Sequence, residues 1–260
     1  MEIRILASGS KGNSISLISG NSHLLIDAGI SYTRIKTRLQ EQNISVDSIT
    51  DIIITHEHRD HASGLRVFLN RHPSTNVHLT KGTMDGLDVD TIESINNYNF
   101  ITPEQILKID EFEIFPILLS HDANEPIGLI ICKDGKKLVF ITDTGYVHKD
   151  YFPLIMDAHF YYLESNHDEV MLMETYKRPH SLKMRILGER GHLSNNEAAR
   201  ILNEVITDGN KATWAVAHIS EDCNTQEKIE LAIVKHFNNP FKAKVIYTSQ
   251  ESNEVIKIWK

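Results

Sequence analysis

The chain has 260 residues, enough for one large domain or two small ones with a substantial core. Hydrophobic residues make up 41% and charged residues 24%, an ordinary soluble balance with no window of membrane-spanning length and no signal-peptide core at the strand-like N-terminus. A net charge of −8 excludes a generic basic coat for nucleic acid, and two cysteines, Cys132 and Cys223, are too few for a disulfide framework, so a reducing cytoplasm is expected.

Strands are expected at Glu2–Ala7, Ser14–Ser19 and 23–27, with Ser19-Gly20-Asn21-Ser22 as a hairpin turn. Between the first two lies Ala7-Ser8-Gly9-Ser10-Lys11-Gly12-Asn13-Ser14. Such a loop is an ordinary tight turn or a cradle of backbone N–H groups for a phosphate, with Ser10, Asn13 and Ser14 as its candidates. Ser31 can cap a helix running to about Gln42 that packs through Ile35 and Leu39. The apolar run 51–54 leads into Thr55-His56-Glu57-His58-Arg59-Asp60-His61, followed by a helix over 62–70. Residues 85–99 are ambiguous. Further strands are expected at 111–119, 127–132, 138–142, 158–163, 213–217 and 244–247, with Lys133-Asp134-Gly135-Lys136 as a second hairpin turn. Helical patterns cover 148–155, 168–177, 195–206 and 225–237, and strand character continues over 255–259. Hairpins mixed with alternating helices fit two sheets with helices outside.

His56, His58, Asp60 and His61 fall within six consecutive positions. In an extended segment His56, His58 and Asp60 share a face, and a turn after Asp60 brings His61 inward. Mixed imidazole and carboxylate donors suit zinc, manganese or iron rather than calcium. A histidine-rich polar loop explains one histidine better than it explains this spacing. Three further candidates each end an apolar strand: His121, Asp143 and His218. Singly, each is more simply a turn or cap residue; strand ends facing one crevice are also where open sheets place ligands.

The His-x-His-x-Asp-His signature after a short apolar strand resembles that of the metallo-β-lactamase-fold hydrolases. The resemblance implies an α/β (α+β) chain folded as a four-layer αββα sandwich, here a single domain over 1–260. It implies two divalent metal ions, zinc or manganese (iron or nickel in preparations). By the same resemblance His56, His58 and His121 would hold one ion, and Asp60, His61 and His218 the other, with Asp143 bridging. Asp27 would orient ligand histidines, though it is nearly as well explained as a turn residue before Ala28-Gly29. A divalent metal lowers the pKa of bound water from 15.7 to about 7, and two metals roughly 3.5–4 Å apart can clamp both oxygens of a phosphodiester displacement.

The same core serves lactams, thioesters, lactones and phosphodiesters. Two segments, Glu164-Ser165-Asn166-His167-Asp168 and Gly191-His192-Leu193-Ser194-Asn195, resemble motifs of nucleases related to transfer-RNA 3′-processing enzymes. There Glu164 and His192 would shape proton delivery to the leaving oxygen, with His192 ahead of His167 as the acid; Ser194 or Asn195 equally suits a helix N-cap. Lys177-Arg178-Pro179-His180-Ser181-Leu182-Lys183-Met184-Arg185 is the most basic stretch of the chain. It reads equally as a solvated helix face or as a phosphate grip through Lys177, Arg178, Lys183 and Arg185, with Asn195 added from the later loop.

Over nearly its whole length the chain resembles the YycJ or WalJ group of metallo-β-lactamase-fold nucleases. That implies 5′-to-3′ exonuclease action with Asp60 among the catalytic residues and DNA favoured over RNA. Oligomeric state is not legible. The alternatives are a thioester hydrolase of the glyoxalase II type, whose separate C-terminal helical domain is hard to find where strand character continues over 255–259, and a non-catalytic metal-binding regulatory protein.

Overall fold

The structure, a computed structural model, describes residues 1–258. The backbone divides into two units, the first made of 1–116, 123–127 and 248–258 and the second of 117–122 and 128–247. In chain order the first carries β1 (Glu2–Ala7), β2 (Ser14–Ser19), β3 (Ser22–Ile26), α1 (Tyr32–Gln40), β4 (Asp51–Ile53), α2 (Arg59–Ala62), α3 (Leu65–Arg71), β5 (Asn76–Leu79), α4 (Lys81–Gly86), α5 (Val89–Glu93) and β6 (Asn97–Phe100). The hairpin β7 (Leu107–Ile109) and β8 (Phe112–Leu118) follows. The second unit holds β9 (Ile127–Lys133), β10 (Lys136–Ile141), α6 (Phe152–Ile155), β11 (Phe160–Glu164), α7 (Glu169–Glu174), α8 (His180–Leu187), α9 (Asn195–Val205), β12 (Ala212–Ala217), α10 (Gln226–His236) and β13 (Ala243–Tyr247). The last strand, β14 (Glu254–Lys257), lies beside β1.

The first unit's sheet has the order β14-β1-β2-β3-β4-β5-β6. Its hairpin half is antiparallel, and from β3 to β6 the strands run parallel. Parallel strands buried on both faces read as continuous apolar runs, as Leu24-Leu25-Ile26 and Ile52-Ile53 do. Their faces join α1 and α3 in a core that includes Ile35, Leu39, Leu65, Phe68 and Leu69. Burying each such side chain contributes roughly 1.5–3 kcal/mol. In the register Ile26 lies opposite Ile53, so Asp27 leaves β3 close to where Thr55 follows β4.

In the second unit β9 and β10 form a hairpin whose turn residues Asp134 and Gly135 have φ of 50° and 71°, the left-handed pair that a two-residue hairpin turn needs. From β10 through β11 and β12 to β13 the strands are parallel, with Ile141, Leu163 and Val216 in line. The residues that follow them, Asp143, Glu164 and His218, therefore emerge at one edge of this sheet. Trp214 is fully buried and its indole N–H donates to the Leu163 carbonyl at 3.1 Å.

Four local expectations change. The helix expected over 62–70 is broken after Ala62 and restarts at Leu65. At the break a Cβ on Gly64 would lie 2.0 Å from the Ile30 carbonyl oxygen, so only glycine allows the chains to approach. Because α2 starts at Arg59, Asp60 lies in a helical turn, not in the extended segment, and the turn begins before it. The helix expected over 168–177 stops at Glu174, and the basic stretch beyond it forms α8 from His180 to Leu187. Residues 148–155 form a 3-10 turn followed by the single turn of α6. The ambiguous region 85–99 holds the end of α4, then α5 capped by Asp88, and the start of the exposed strand β6. The expected strand over 255–259 is met through Lys257; Trp259 lies outside the described residues.

Candidate active site

In the first unit the histidine motif is held from behind by Asp27. Its Oδ1 accepts from the Thr55 amide at 2.8 Å, the Thr55 hydroxyl lies 2.9 and 3.0 Å from its two oxygens, and Oδ2 is 2.7 Å from His61 Nδ1. Because the carboxylate accepts, Nδ1 of His61 carries the hydrogen and Nε2 presents a lone pair, the tautomer a metal ligand needs. The ring of His56 lies 4.0 Å from that of His61 and 4.7 Å from that of His58, and His61 Nε2 is 3.7 Å from Asp60 Oδ2. His56 and His61 are buried, while His58 and Asp60 are partly open. Three imidazoles and a carboxylate so close together form a donor set suited to a divalent cation.

The backbone of this turn is fixed by the loops before it. Asn13 N donates to the Asp60 carbonyl at 2.7 Å, and Ala28 N to that of His61 at 2.8 Å. A Cβ on Gly29 would fall 1.7 Å from the Asp60 carbonyl oxygen, so this contact admits no side chain. The Asn13 amide, expected at a substrate phosphate, is turned into the motif instead. Its Nδ2 is 3.0 Å from His61 Nε2 and its Oδ1 accepts from Gly9 N at 2.9 Å. Ser14 is buried and Ser10 is exposed.

The second unit gathers Asp143, Glu164, His192 and His218, whose ligand atoms all lie within 4.8 Å of one another. Glu164 is fully buried. Its Oε1 accepts from the amides of Thr144 at 2.8 Å and Leu193 at 3.0 Å, and its Oε2 is 3.1 Å from His192 Nδ1. His192 stacks on His218 with ring centres 5.2 Å apart. His218 Nε2 is 3.4 Å from Asp143 Oδ1, and its Nδ1 lies 3.1 Å from Asn166 Nδ2. His121 pairs through Nδ1 with the Gly191 carbonyl at 3.0 Å, which leaves Nε2 facing Asp122 at 3.2 Å and Asp143 at 4.0 Å. Burial lowers the His121 pKa, favouring the neutral imidazole that ligation requires. His167 is 1% exposed and burial pushes it down to about 4, so it is a poor proton carrier near neutrality. His192 keeps 19% of its side chain exposed and has a carboxylate behind it.

The basic stretch is more committed than its composition suggests. Lys183 is buried and its ammonium donates to the Met173 carbonyl at 2.7 Å, Arg185 pairs with Asp122, and Lys177 pairs with Asp222. Arg178 reaches the Ser220 hydroxyl at 3.2 Å. Asn195 is buried, its Oδ1 accepting from Ser165 Oγ at 2.6 Å and its Nδ2 donating to Asn224 at 2.8 Å, while Ser194 caps α9. Thr55, Thr144 and Asn166 were not singled out from the sequence. Each acts beside an identified residue, and a polar neighbour of a motif carries no periodic or spacing signal of its own.

A family model described as "Beta-lactamase superfamily domain" matches residues 22–216. The chain belongs to this superfamily, of the metallo-β-lactamase fold, and is a metal-dependent hydrolase. Among curated proteins it is 32% identical over 236 residues to "Exodeoxyribonuclease YycJ" of Bacillus anthracis, covering 90% of this chain and 88% of that one. It is 31% identical over 234 residues to "Exodeoxyribonuclease WalJ" of Streptococcus pneumoniae, covering 88% and 86%. Among solved structures it is similar to the metallo-β-lactamase fold protein YhfI from Bacillus subtilis, with TM-score 0.74, 13% identity and coverage of 98% and 99%. The short form of human tRNase Z matches with TM-score 0.68, 18% identity and full coverage of both chains (100%). At these identities the structures speak for the fold alone: two mixed sheets with flanking helices, the α/β sandwich class expected from the sequence. Among the described residues no helix is long and apolar enough to cross a membrane.

Proposed function

We propose that this chain is a cytoplasmic exodeoxyribonuclease that removes nucleotides from DNA in the 5′-to-3′ direction, its two units working as one domain. Likeness over nine-tenths of the chain to proteins named exodeoxyribonuclease supports the substrate class. The observation that carries the chemistry is Glu164 Oε2 at 3.1 Å from His192 Nδ1. A carboxylate there fixes the orientation of the ring and leaves Nε2 as the atom that passes a proton to the leaving oxygen. A departing sugar oxygen is as poor a leaving group as hydroxide, whose parent water has a pKa of about 15.7, and needs that proton. A departing thiolate, with a thiol pKa of about 8.5, does not, so an acid of this kind favours a phosphodiester over a thioester.

His56, His58 and His121 would hold one divalent ion, and Asp60, His61 and His218 the other, with Asp143 shared; zinc or manganese suits these donors. The fit rests on the fixed tautomers: Asp27 takes Nδ1 of His61 and the Gly191 carbonyl takes Nδ1 of His121, so each Nε2 carries the lone pair, that of His61 lying 3.0 Å from the Asn13 side-chain amide an ion would displace. When bound, the two ions lower the pKa of water and neutralise charge on the phosphodiester. Within the chain, Asp27 orients His61, Glu164 orients His192, and His192 donates to the leaving oxygen. Arg178, whose guanidinium among the described residues is held only by the Ser220 hydroxyl, is best suited to reach a substrate phosphate.

The test is product length over time on end-labelled single- and double-stranded DNA and RNA with 5′-phosphate or 5′-hydroxyl ends, with manganese present and Asp60→Asn as control. Stepwise release from the 5′ end of DNA is expected. Thioester hydrolysis with no strand cleaved would replace this reading, and metal retention without any hydrolysis would favour a regulatory protein.

A further inference from the structure

A cavity of about 570 Å³ in the first unit is walled in part by the histidine motif itself. Its lining includes Glu57, Arg59, Arg66, Val67, Leu87 and Asp88, and neither His56 nor His58. Glu57, between His56 and His58 in the extended stretch, turns to the side opposite theirs, and Arg59 opens α2 on the cavity's wall. A ligand in the cavity would therefore touch the same loop that supplies four of the expected metal donors.

The charges around this cavity are unequally committed. Arg66 is paired with Asp90. Both oxygens of Asp88 serve Thr91, at 3.0 Å to its amide and 2.7 Å to its hydroxyl, and Glu57 Oε1 accepts from Asn124 N at 2.8 Å. Arg59 is exposed and, among the described residues, its guanidinium makes no hydrogen bond or ion pair, so it is the uncommitted positive charge on the wall, while the second oxygen of Glu57 is buried and likewise unpartnered. Beside it are apolar groups, with Val67 45% exposed and Leu87 at the opening of the loop before α5. The volume falls in the range of small-molecule sites, about 300–1,000 Å³. A flat apolar body joined to an anion is what this lining accepts, and a nucleotide is that.

The geometry points to this cavity as a subsite for the nucleic-acid strand, Arg59 pairing with a backbone phosphate while Val67 and Leu87 bear on the base beside it. The assignment rests on the nuclease reading and adds where the strand runs. Arginine offers a phosphate two parallel charge-assisted hydrogen bonds, and base contacts of this kind tolerate any sequence.

The experiment is a length series of DNA oligonucleotides, from two to eight nucleotides, cut by the metal-loaded wild type, Arg59→Ala and Val67→Trp. Activity on bis(4-nitrophenyl) phosphate, a small diester with no strand to place, is the denominator. Val67→Trp fills the cavity from an exposed position on α3, so it does not depend on perturbing the motif; metal content is measured for Arg59→Ala, which lies between two expected ligands. In the wild type KM should fall with length by about tenfold, the effect of one charge-assisted contact. Both variants should lose that gain. A gain retained in Val67→Trp overturns the subsite. Oligonucleotide binding to Asp60→Asn, with its metal content measured and with and without Val67→Trp, separates the two claims. A strand that binds through the cavity but is never cut counts against the nuclease reading alone; a strand cut with equal KM by all three proteins counts against the subsite alone.

Discussion

Replacing Asp27 by asparagine should weaken metal binding by a definite route. The Asp27 carboxylate receives three donors: the Thr55 amide at 2.8 Å, the Thr55 hydroxyl and His61 Nδ1 at 2.7 Å. An asparagine keeps one accepting oxygen and turns an NH2 group towards the other side. The Thr55 amide cannot become an acceptor, so the oxygen stays with it and the NH2 faces His61. To avoid two opposed donors, His61 must move its hydrogen to Nε2, and a protonated Nε2 cannot ligate. Losing such an outer partner typically costs 10–100-fold in metal affinity, about 1.4–2.8 kcal/mol. The loss should fall on the ion expected to bind His61. Titration of the metal-free protein against a chelator of known affinity, with metal content by elemental analysis, reads this directly and needs no activity. Two ions bound with wild-type affinity would refute the tautomer argument.

His192→Ala should slow cleavage of a natural strand by about 10²–10⁴-fold yet barely slow an aryl phosphodiester, whose leaving group needs no proton; equal slowing of both would remove the donor role. Gly29→Ala should abolish metal retention, because its Cβ would overlap the Asp60 carbonyl oxygen at 1.7 Å; a variant that binds two ions would show that the turn can move. Burial, with the Arg4 guanidinium nearby, holds His23 at about 4 against its usual 6.5. Above pH 6.5 both states are neutral and the group contributes nothing. From there down to about 4 the unfolded chain binds a proton that the folded chain refuses, so stability falls with acidification by up to about 3 kcal/mol. Urea unfolding of His23→Asn should show a flatter loss between pH 7 and 4.5, and an unchanged slope would place the sensitivity elsewhere.

Most strands were legible because apolar runs with hairpin turns between them leave few choices, as Gly20-Asn21 and Asp134-Gly135 illustrate; β5, β6 and β7, which are short or exposed, were not, and neither was the order of strands within the sheets. The histidine motif was legible through spacing alone. What spacing could not convey is which partner each polar group selects. Asn13 and Asn195 look like surface ligands for a phosphate in a sequence, yet both are buried and bound to the chain itself. Lys183 sits in the most basic stretch and spends its charge on a carbonyl. A charge run states composition, while pairing depends on tertiary neighbours such as Asp122 and Asp222, which are distant in sequence. The break at Ser63-Gly64 escaped for a similar reason, since the cause is a carbonyl from Ile30.

Asp27, Asp143 and His218 each follow a strand and each has a left-handed backbone, with φ of 60°, 60° and 51°. Glycine would adopt that turn freely, and any other residue there costs of order 1–3 kcal/mol, least for Asp, Asn and His. Asp134 has the same backbone in an ordinary hairpin turn, so the conformation alone marks nothing; at Asp27, Asp143 and His218 it coincides with a side chain that lies in the site. Two variants that both lack the carboxylate isolate the backbone cost. Alanine is ordinarily the better residue by roughly 0.5–1 kcal/mol, because glycine loses more freedom on folding. At φ of 60° the order should invert, with Asp143→Gly about 1 kcal/mol more stable than Asp143→Ala in the metal-free protein. Denaturant unfolding of the pair decides it. If the alanine variant is equal or better, the turn relaxes at little cost, and the left-handed conformation at Asp143 is no sign of selection for its carboxylate.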